Sequence, residues 1–182
     1  MRAIILFMSS SGCARRETLN LTIQDFIDAS YEYHNKKDIK EALLILKELD
    51  NVVPTFRIRR QKTNKFYFTF CSPEASNEVV NYLLNNRKLN SKDKLFKINL
   101  DYLNNNFTKI NNELGIGKVG KYNKFRSHML RKFHASSLYN AENGLNLEEI
   151  DALQGRAKDK THGAYFYENP EILKKSLDET CP

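Results

Sequence analysis

Apolar residues recur along this chain with two different periods. "RAIILFM", from Arg2, is apolar on nearly every side and predicts a buried helix over 2–9, broken by "SSSG" at 9–12. Met1 opens directly into that run with no capping residue ahead of it. This fits a helix that begins at the terminus, or a chain whose upstream domain is missing. Helices are expected over 14–20 and over 22–33, the latter capped by Thr22. "DIKEALLILKEL" (38–49) sets Ile39, Leu43, Leu46 and Leu49 in near-helical register, with Asp38 as cap and Glu41 completing a capping box. The period then changes to two. "TFRIRRQKTNKFYFTF" (55–70) alternates around Phe56, Ile58 and Arg60, then Phe66, Phe68 and Phe70, with "KTN" between, which predicts a β-hairpin with a basic turn. Ser72 and Pro73 open a helix over 72–86 whose inner face is Ala75, Val79, Val80, Leu83 and Leu84. A basic connection (87–97) leads to a helix over 98–114, ended by Gly115. "GIGKVGKYNK" (115–124) predicts a flexible basic loop, and no Walker pattern follows its glycines. Helices over 125–142, 146–154, 160–167 and 170–178 complete a chain that is mainly α with one small antiparallel sheet. With 182 residues and no internal repeat, it is expected to form a single domain over 1–182.

The helix over 125–142 has an unusual polar content. "RSHMLRKFHASSLY" (126–139) offers Met129, Leu130, Phe133, Ser137 and Leu138 to a buried side, yet carries His128, Arg131 and His134 among them. Residues three apart are neighbours on a helix, so His128 and Arg131 are expected to point the same way. Taken singly, each has an ordinary reading: His128 as a satisfied or exposed histidine, Arg131 as a solvated helix residue. His134 and His162 read as structural or surface residues, and His34 as part of a polar loop.

Charge adds a partner class. A net charge of +7 and a pI near 9.2 favour a polyanion. Hydrophobic content of 41% and charged content of 28% are ordinary for a folded, soluble chain, and no apolar run approaches membrane-spanning length. Cys13, Cys71 and Cys181 lie far apart, show no metal-ligand spacing and suggest a reducing compartment. No acidic cluster suited to a metal is evident, which argues against a magnesium-dependent nuclease.

Three further stretches accompany "HMLR". "SGCARRETLNL" (11–21) sets Arg15 and Arg16 at a glycine turn entering a helix. "RRQKTNKF" (59–66) projects Lys62 and Lys65 from the hairpin tip. "LQGRAKDKTHGAYFY" (153–167) supplies Arg156 and, nine residues on, Tyr165. In this order the set resembles the catalytic domain of the tyrosine recombinases, the phage-integrase family. That family reads roughly T-G-L-R-x-x-E-L, a lysine on a hairpin, H-x-L-R, then L-G-H and a tyrosine nine residues later. Arg156 stands where the family often has histidine. In a gapless match through Glu17 the first arginine position holds Ala14; a shift of one residue puts Arg15 there, with Arg16 as the alternative. The "SGxAR" form is similar to archaeal and mobile-element integrases.

The resemblance implies the tyrosine recombinase catalytic-domain fold and site-specific DNA recombination. Tyr165 (alternatively Tyr167) would attack phosphorus and form a 3′-phosphotyrosyl ester, with no ATP, metal or cofactor. Arg15 and Arg131 would hold the nonbridging oxygens, since guanidinium is a permanent, bidentate donor. His128 would accept or relay the tyrosine proton, Lys62 would protonate the departing 5′ oxygen, and Arg156 would hold a further phosphate oxygen. Arg16, Arg60, Lys65, Lys118 and Lys121 would contact DNA. The implied partners are duplex DNA and, for a full-length protein with an N-terminal core-binding domain, three more protomers in a tetramer. The expected location is cytoplasmic, on the nucleoid of a prokaryotic host, with no membrane partner. Two alternatives remain: a type IB topoisomerase-like enzyme that nicks and reseals, and a non-catalytic DNA-binding regulator derived from an integrase.

Overall fold

Helix signals and strand alternation are realised in the order the sequence gives them. The computed structural model describes residues 1–85, 88–156, 171, 174 and 175. The first helix, α1 (Arg2–Ser11), continues to the left-handed Gly12 rather than ending at the serines. Their hydroxyls explain this: Ser9, Ser10 and Ser11 each donate to a carbonyl one turn back, which lets polar side chains stay helical. Next come α2 (Arg15–Asn20) and α3 (Ile23–Ala29), with Thr22 and Asp25 forming a capping box on α3. The predicted helix over 22–33 is interrupted at Ser30, after which α4 (Tyr31–His34) follows. His34 is not in a polar loop. It is buried, with Nε2 at 3.1 Å from the Ile27 carbonyl and Nδ1 accepting from the Lys36 amide at 2.9 Å. In α5 (Ile39–Lys47) Asp38 caps two amides as expected.

The hairpin pairs β1 (Thr55–Arg59) with β2 (Phe66–Phe70), in a register running from Thr55–Phe70 to Arg59–Phe66. The turn is longer than "KTN": Arg60 donates its amide to the Lys65 carbonyl at 2.8 Å and closes it. The phase of β2 departs from the expected one. Tyr67 and Thr69 face inward and Phe66 outward. Thr69 donates to the Ser11 carbonyl at 2.6 Å and Tyr67 to Glu17 at 2.9 Å, while the Arg57 guanidinium covers the Phe66 ring at 4.1 Å.

Ser72 caps α6 (Pro73–Leu84). The connection after it returns to the α2–α3 junction, where the Leu95 amide meets the Leu21 carbonyl at 2.8 Å and Leu95 and Phe96 enter the core. Then come α7 (Leu100–Glu113) and a small hairpin, β3 (Lys118–Val119) with β4 (Tyr122–Asn123), where the sequence predicted a plain loop. Last are α8 (Ser127–Asn140) and α9 (Leu147–Leu153).

The larger core centres on Phe7 of α1, packed edge-on to Phe56 at 5.2 Å and against Phe96 at 5.7 Å. Helix α1 lies against α6 and α8, and α9 lies on β2. A smaller cluster of Phe70, Leu138, Leu145, Ile150 and Leu153 joins α8 and α9 to the hairpin. Among the described residues no helix is long and apolar enough to cross a membrane. The predicted helices over 160–167 and most of 170–178 lie outside the described residues. Lys174, which is described, places Nζ 2.5 Å from Glu32 and 3.1 Å from the Tyr33 hydroxyl.

Candidate active site

Helix α8 does not present the face its apolar residues suggest. Met129 and Phe133 are 37% and 61% exposed, while Leu130, Arg131, His134 and Leu138 are buried. The reason is Gln154, fully buried just after α9. Its side-chain oxygen accepts from Arg131 Nε at 3.1 Å. Its amide nitrogen meets the Arg131 carbonyl at 2.9 Å and His134 Nδ1 at 3.0 Å. The Gln154 main-chain oxygen accepts from Arg131 Nη2 as well. With these partners a guanidinium and an imidazole are tolerated inside, and the helix is rotated accordingly.

Two glycines bring the walls of this site together. Gly12 has φ +63°, and a Cβ there would lie 2.6 Å from the His134 ring. Gly155 has φ +57°, and a Cβ would lie 2.4 Å from the Tyr67 ring. Both the conformation and the close approach require glycine. Beyond Gly12, Ala14 caps α2, and its amide donates to the Glu17 carboxylate at 3.1 Å. That carboxylate is buried, accepts from the Tyr67 hydroxyl and stands 4.0 Å from Arg131 Nη1. Sequence reasoning did not single out Gln154, Glu17 or Tyr67. All three lay within quoted stretches: Gln154 in "LQGRAKDKTHGAYFY", Glu17 in "SGCARRETLNL" and Tyr67 in "TFRIRRQKTNKFYFTF".

Arg60 reaches the same place from the hairpin. Its Nη1 donates to the Gln154 carbonyl at 2.7 Å and to the Gly155 carbonyl at 2.5 Å. Arg156 is half-exposed and paired with Asp151 at 3.0 Å. His128 is exposed, unlike Arg131, so the two do not share one environment on α8. Arg131 and Arg156 nevertheless both act on it: the His128 pKa is lowered by partial burial first, then by Lys132, Arg126, Arg131 and Arg156. Burial, followed by Arg131 and Arg156, lowers His134 to about 4, so the imidazole inside is neutral. Arg131 is itself pushed down, chiefly by burial, with Arg60 acting in the same direction. Burial raises the Cys13 thiol, 3.8 Å from the Tyr67 hydroxyl, to about 11.

The remaining sequence candidates lie further out. Arg15 and Arg16 are exposed at the start of α2. Arg15 Nη1 turns to Asn104 of α7 at 2.6 Å and lines a groove of about 700 Å³ with Lys118, Lys121, Tyr122, Arg126 and His128. Arg126 stacks on Tyr122 at 4.6 Å. Lys62 and Lys65 are exposed at the hairpin turn. Tyr165, Tyr167 and His162 lie outside the described residues.

By sequence, no family model matches the chain and no curated protein does. By fold, it is similar to a XerA recombinase, with TM-score 0.59 and 20% identity over 99% of this chain and 57% of that one. It is also similar to a XerH site-specific recombinase solved on its difH substrate as a pre-cleavage complex. There the TM-score is 0.55 and the identity 20%, over 97% of this chain and 45% of that one. The chain thus spans about half the length of each. Mostly helical, with small antiparallel hairpins, the chain has the tyrosine recombinase fold.

Proposed function

We propose that this chain is the catalytic domain of a site-specific recombinase, possessing the chemistry to cut and rejoin one DNA strand through a phosphotyrosine. Tyr165 attacks phosphorus, its phenolic proton passes to His128, and Lys62 gives a proton to the departing 5′ oxygen. The ester keeps the energy of the broken bond, so resealing is the same reaction reversed. Arg131 meets the charge that develops on the phosphate, and Arg156 holds a further oxygen. Arg15, Lys118, Lys121 and Arg126 line a groove that takes flanking phosphates, and Arg16 and Lys65 extend that surface. Duplex DNA is the substrate, on the nucleoid of a prokaryotic cell. These 182 residues span about half the length of the recombinases they resemble in fold, and by themselves they bind DNA weakly and cleave without completing exchange between two sites in a tetramer.

The observation that supports this most is the buried Arg131. Its guanidinium is fixed by Gln154 and lies near Glu17, and on the same helix the more exposed His128 has its proton affinity lowered by partial burial first and then by the surrounding cations, Arg131 among them. A neutral imidazole near pH 7 is the form that accepts a proton. The test is a nicked suicide duplex, drawn from a pool with a randomised centre, and a denaturing gel that retains covalent protein–DNA product. Tyr165→Phe is expected to abolish the product and Tyr167→Phe to spare it; no product from the unsubstituted chain overturns the reading.

Ala14, at the first arginine position, favours a second reading: a DNA-binding regulator that has lost cleavage. It predicts retention of the same duplexes on a native gel with no covalent band.

A further inference from the structure

The strand-cleavage reading leaves one gap. A phosphate in transesterification gains negative charge on both nonbridging oxygens; Arg131 is buried and fixed to meet it, whereas Arg156 is half-exposed and shared with Asp151, so a second preorganised guanidinium is wanting. Glu17 fixes the local register: it caps the Ala14 amide at 3.1 Å and accepts from Tyr67 at 2.9 Å, so the gapless match puts Ala14 at the first arginine position. Arg15, one residue on, is exposed and turned toward Asn104 of α7. Neither residue brings a cation beside Arg131.

Arg60 does. It follows directly on β1 at the mouth of the hairpin turn, is half-buried, and donates Nη1 to the Gln154 carbonyl that Arg131 also uses. Two guanidinium groups bound to one oxygen repel each other, and the one carboxylate paired with them among the described residues, Glu17, is 4.0 Å from Arg131. Arg156 cannot relieve this, being itself a cation already paired with Asp151. The Nε and Nη2 of Arg60 make no hydrogen bond to any described residue, so donors remain for an incoming anion.

We infer that Arg60, brought in by the hairpin, supplies the second guanidinium to the scissile phosphate in place of the arginine missing at Ala14. This rests on the strand-cleavage reading. In the step, the Tyr165 oxygen–phosphorus bond forms and the bond from phosphorus to the 5′ oxygen breaks. The phenolic proton leaves to His128, and the 5′ oxygen takes a proton from Lys62. Arg60 and Arg131 hold the two nonbridging oxygens throughout and exchange no proton.

The test compares Arg60→Gln with the unsubstituted chain at saturating duplex. One substrate has an ordinary scissile phosphodiester; the other has a methylphosphonate there, in which one charged oxygen is replaced by a neutral methyl. On the phosphodiester, Arg60→Gln is expected to lower the cleavage rate about 100-fold or more, the usual effect of removing one preorganised donor. On the methylphosphonate it is expected to cleave within about threefold of the unsubstituted chain, because the charge Arg60 would meet is gone. A variant that fails equally on both substrates shows that Arg60 only props Gln154 and the hairpin, which overturns the inference. Equal cleavage of the phosphodiester by both proteins overturns it too. Absence of product from the unsubstituted chain instead refutes strand cleavage itself.

Discussion

Replacing Gln154 with leucine removes the one side chain that makes the interior of α8 tolerable. Leucine fills similar space but offers no hydrogen bond. Two buried groups then lose their side-chain partner, Arg131 Nε (3.1 Å) and His134 Nδ1 (3.0 Å), and the Arg131 carbonyl loses a second donor (2.9 Å) beyond the amide that α8 itself supplies. Each buried polar group left unsatisfied costs about 1–3 kcal/mol, and more when charged. The three share one site, so their costs do not simply add. The new apolar side chain returns roughly 1–2 kcal/mol. The net loss expected is about 3–4 kcal/mol, a large part of the roughly 5–15 kcal/mol that holds an ordinary domain folded. For a chain of this size each kcal/mol lowers Tm by about 2–4 °C, so the fall should be near 10 °C. Calorimetry at pH 7.5, checked by circular dichroism for a single transition, measures it. A fall of less than about 3 °C would mean that water or a rotamer change satisfies those groups; Gln154 would then not be what fixes Arg131.

The other expectations concern separate links in the same chain of reasoning. The unfolded chain protonates His134 below its ordinary pKa of 6.5, the folded chain only below about 4. Stability on its account is therefore constant above 6.5 and falls as pH drops from 6.5 toward 4, by on the order of 3 kcal/mol in all. Urea midpoints of His134→Asn against the unsubstituted chain should diverge over that window, and parallel pH curves would contradict it. Gly155→Ala meets both a left-handed backbone and a Tyr67 ring atom at 2.4 Å, whereas Gly117→Ala has φ +83° and nothing within 4 Å. Thermal melts should show a loss of about 2–4 kcal/mol for the first and about 1–2 kcal/mol for the second; equal losses would remove the close-approach argument. Lys118→Gln with Lys121→Gln should reduce the slope of log binding constant against log salt by nearly 2, as expected if each side chain neutralises one phosphate. An unchanged slope would take the groove of Arg15 and Arg126 off the DNA.

Much of the secondary structure was legible because its determinants are local. Asp38 and Ser72 cap the helices they precede, and Pro73 sits at a first helical position where its missing amide does no harm. The change of period at residue 55 marked the hairpin. Where polar residues took a place inside, the apolar pattern misled. Serines prolonged α1, Met129 and Phe133 were left outside while Arg131 and His134 went in, and β2 buried Tyr67 and Thr69 instead of Phe66.

The order of the motifs, with a histidine three residues before an arginine and a tyrosine nine after another, was present in the sequence and pointed to a fold and a chemistry. Which cations meet was not. Arg60 and Gln154 are 94 positions apart, Tyr67 and Glu17 are 50 apart, and Arg131 and Gln154 are 23 apart. A buried charge goes where hydrogen-bond partners exist to offset its lost hydration. Those partners come together only when the hairpin, α2, α8 and the end of α9 pack around one another. Local periodicity could name the helix that holds Arg131, but only tertiary packing decided which way that arginine points and that Arg60 stands beside it.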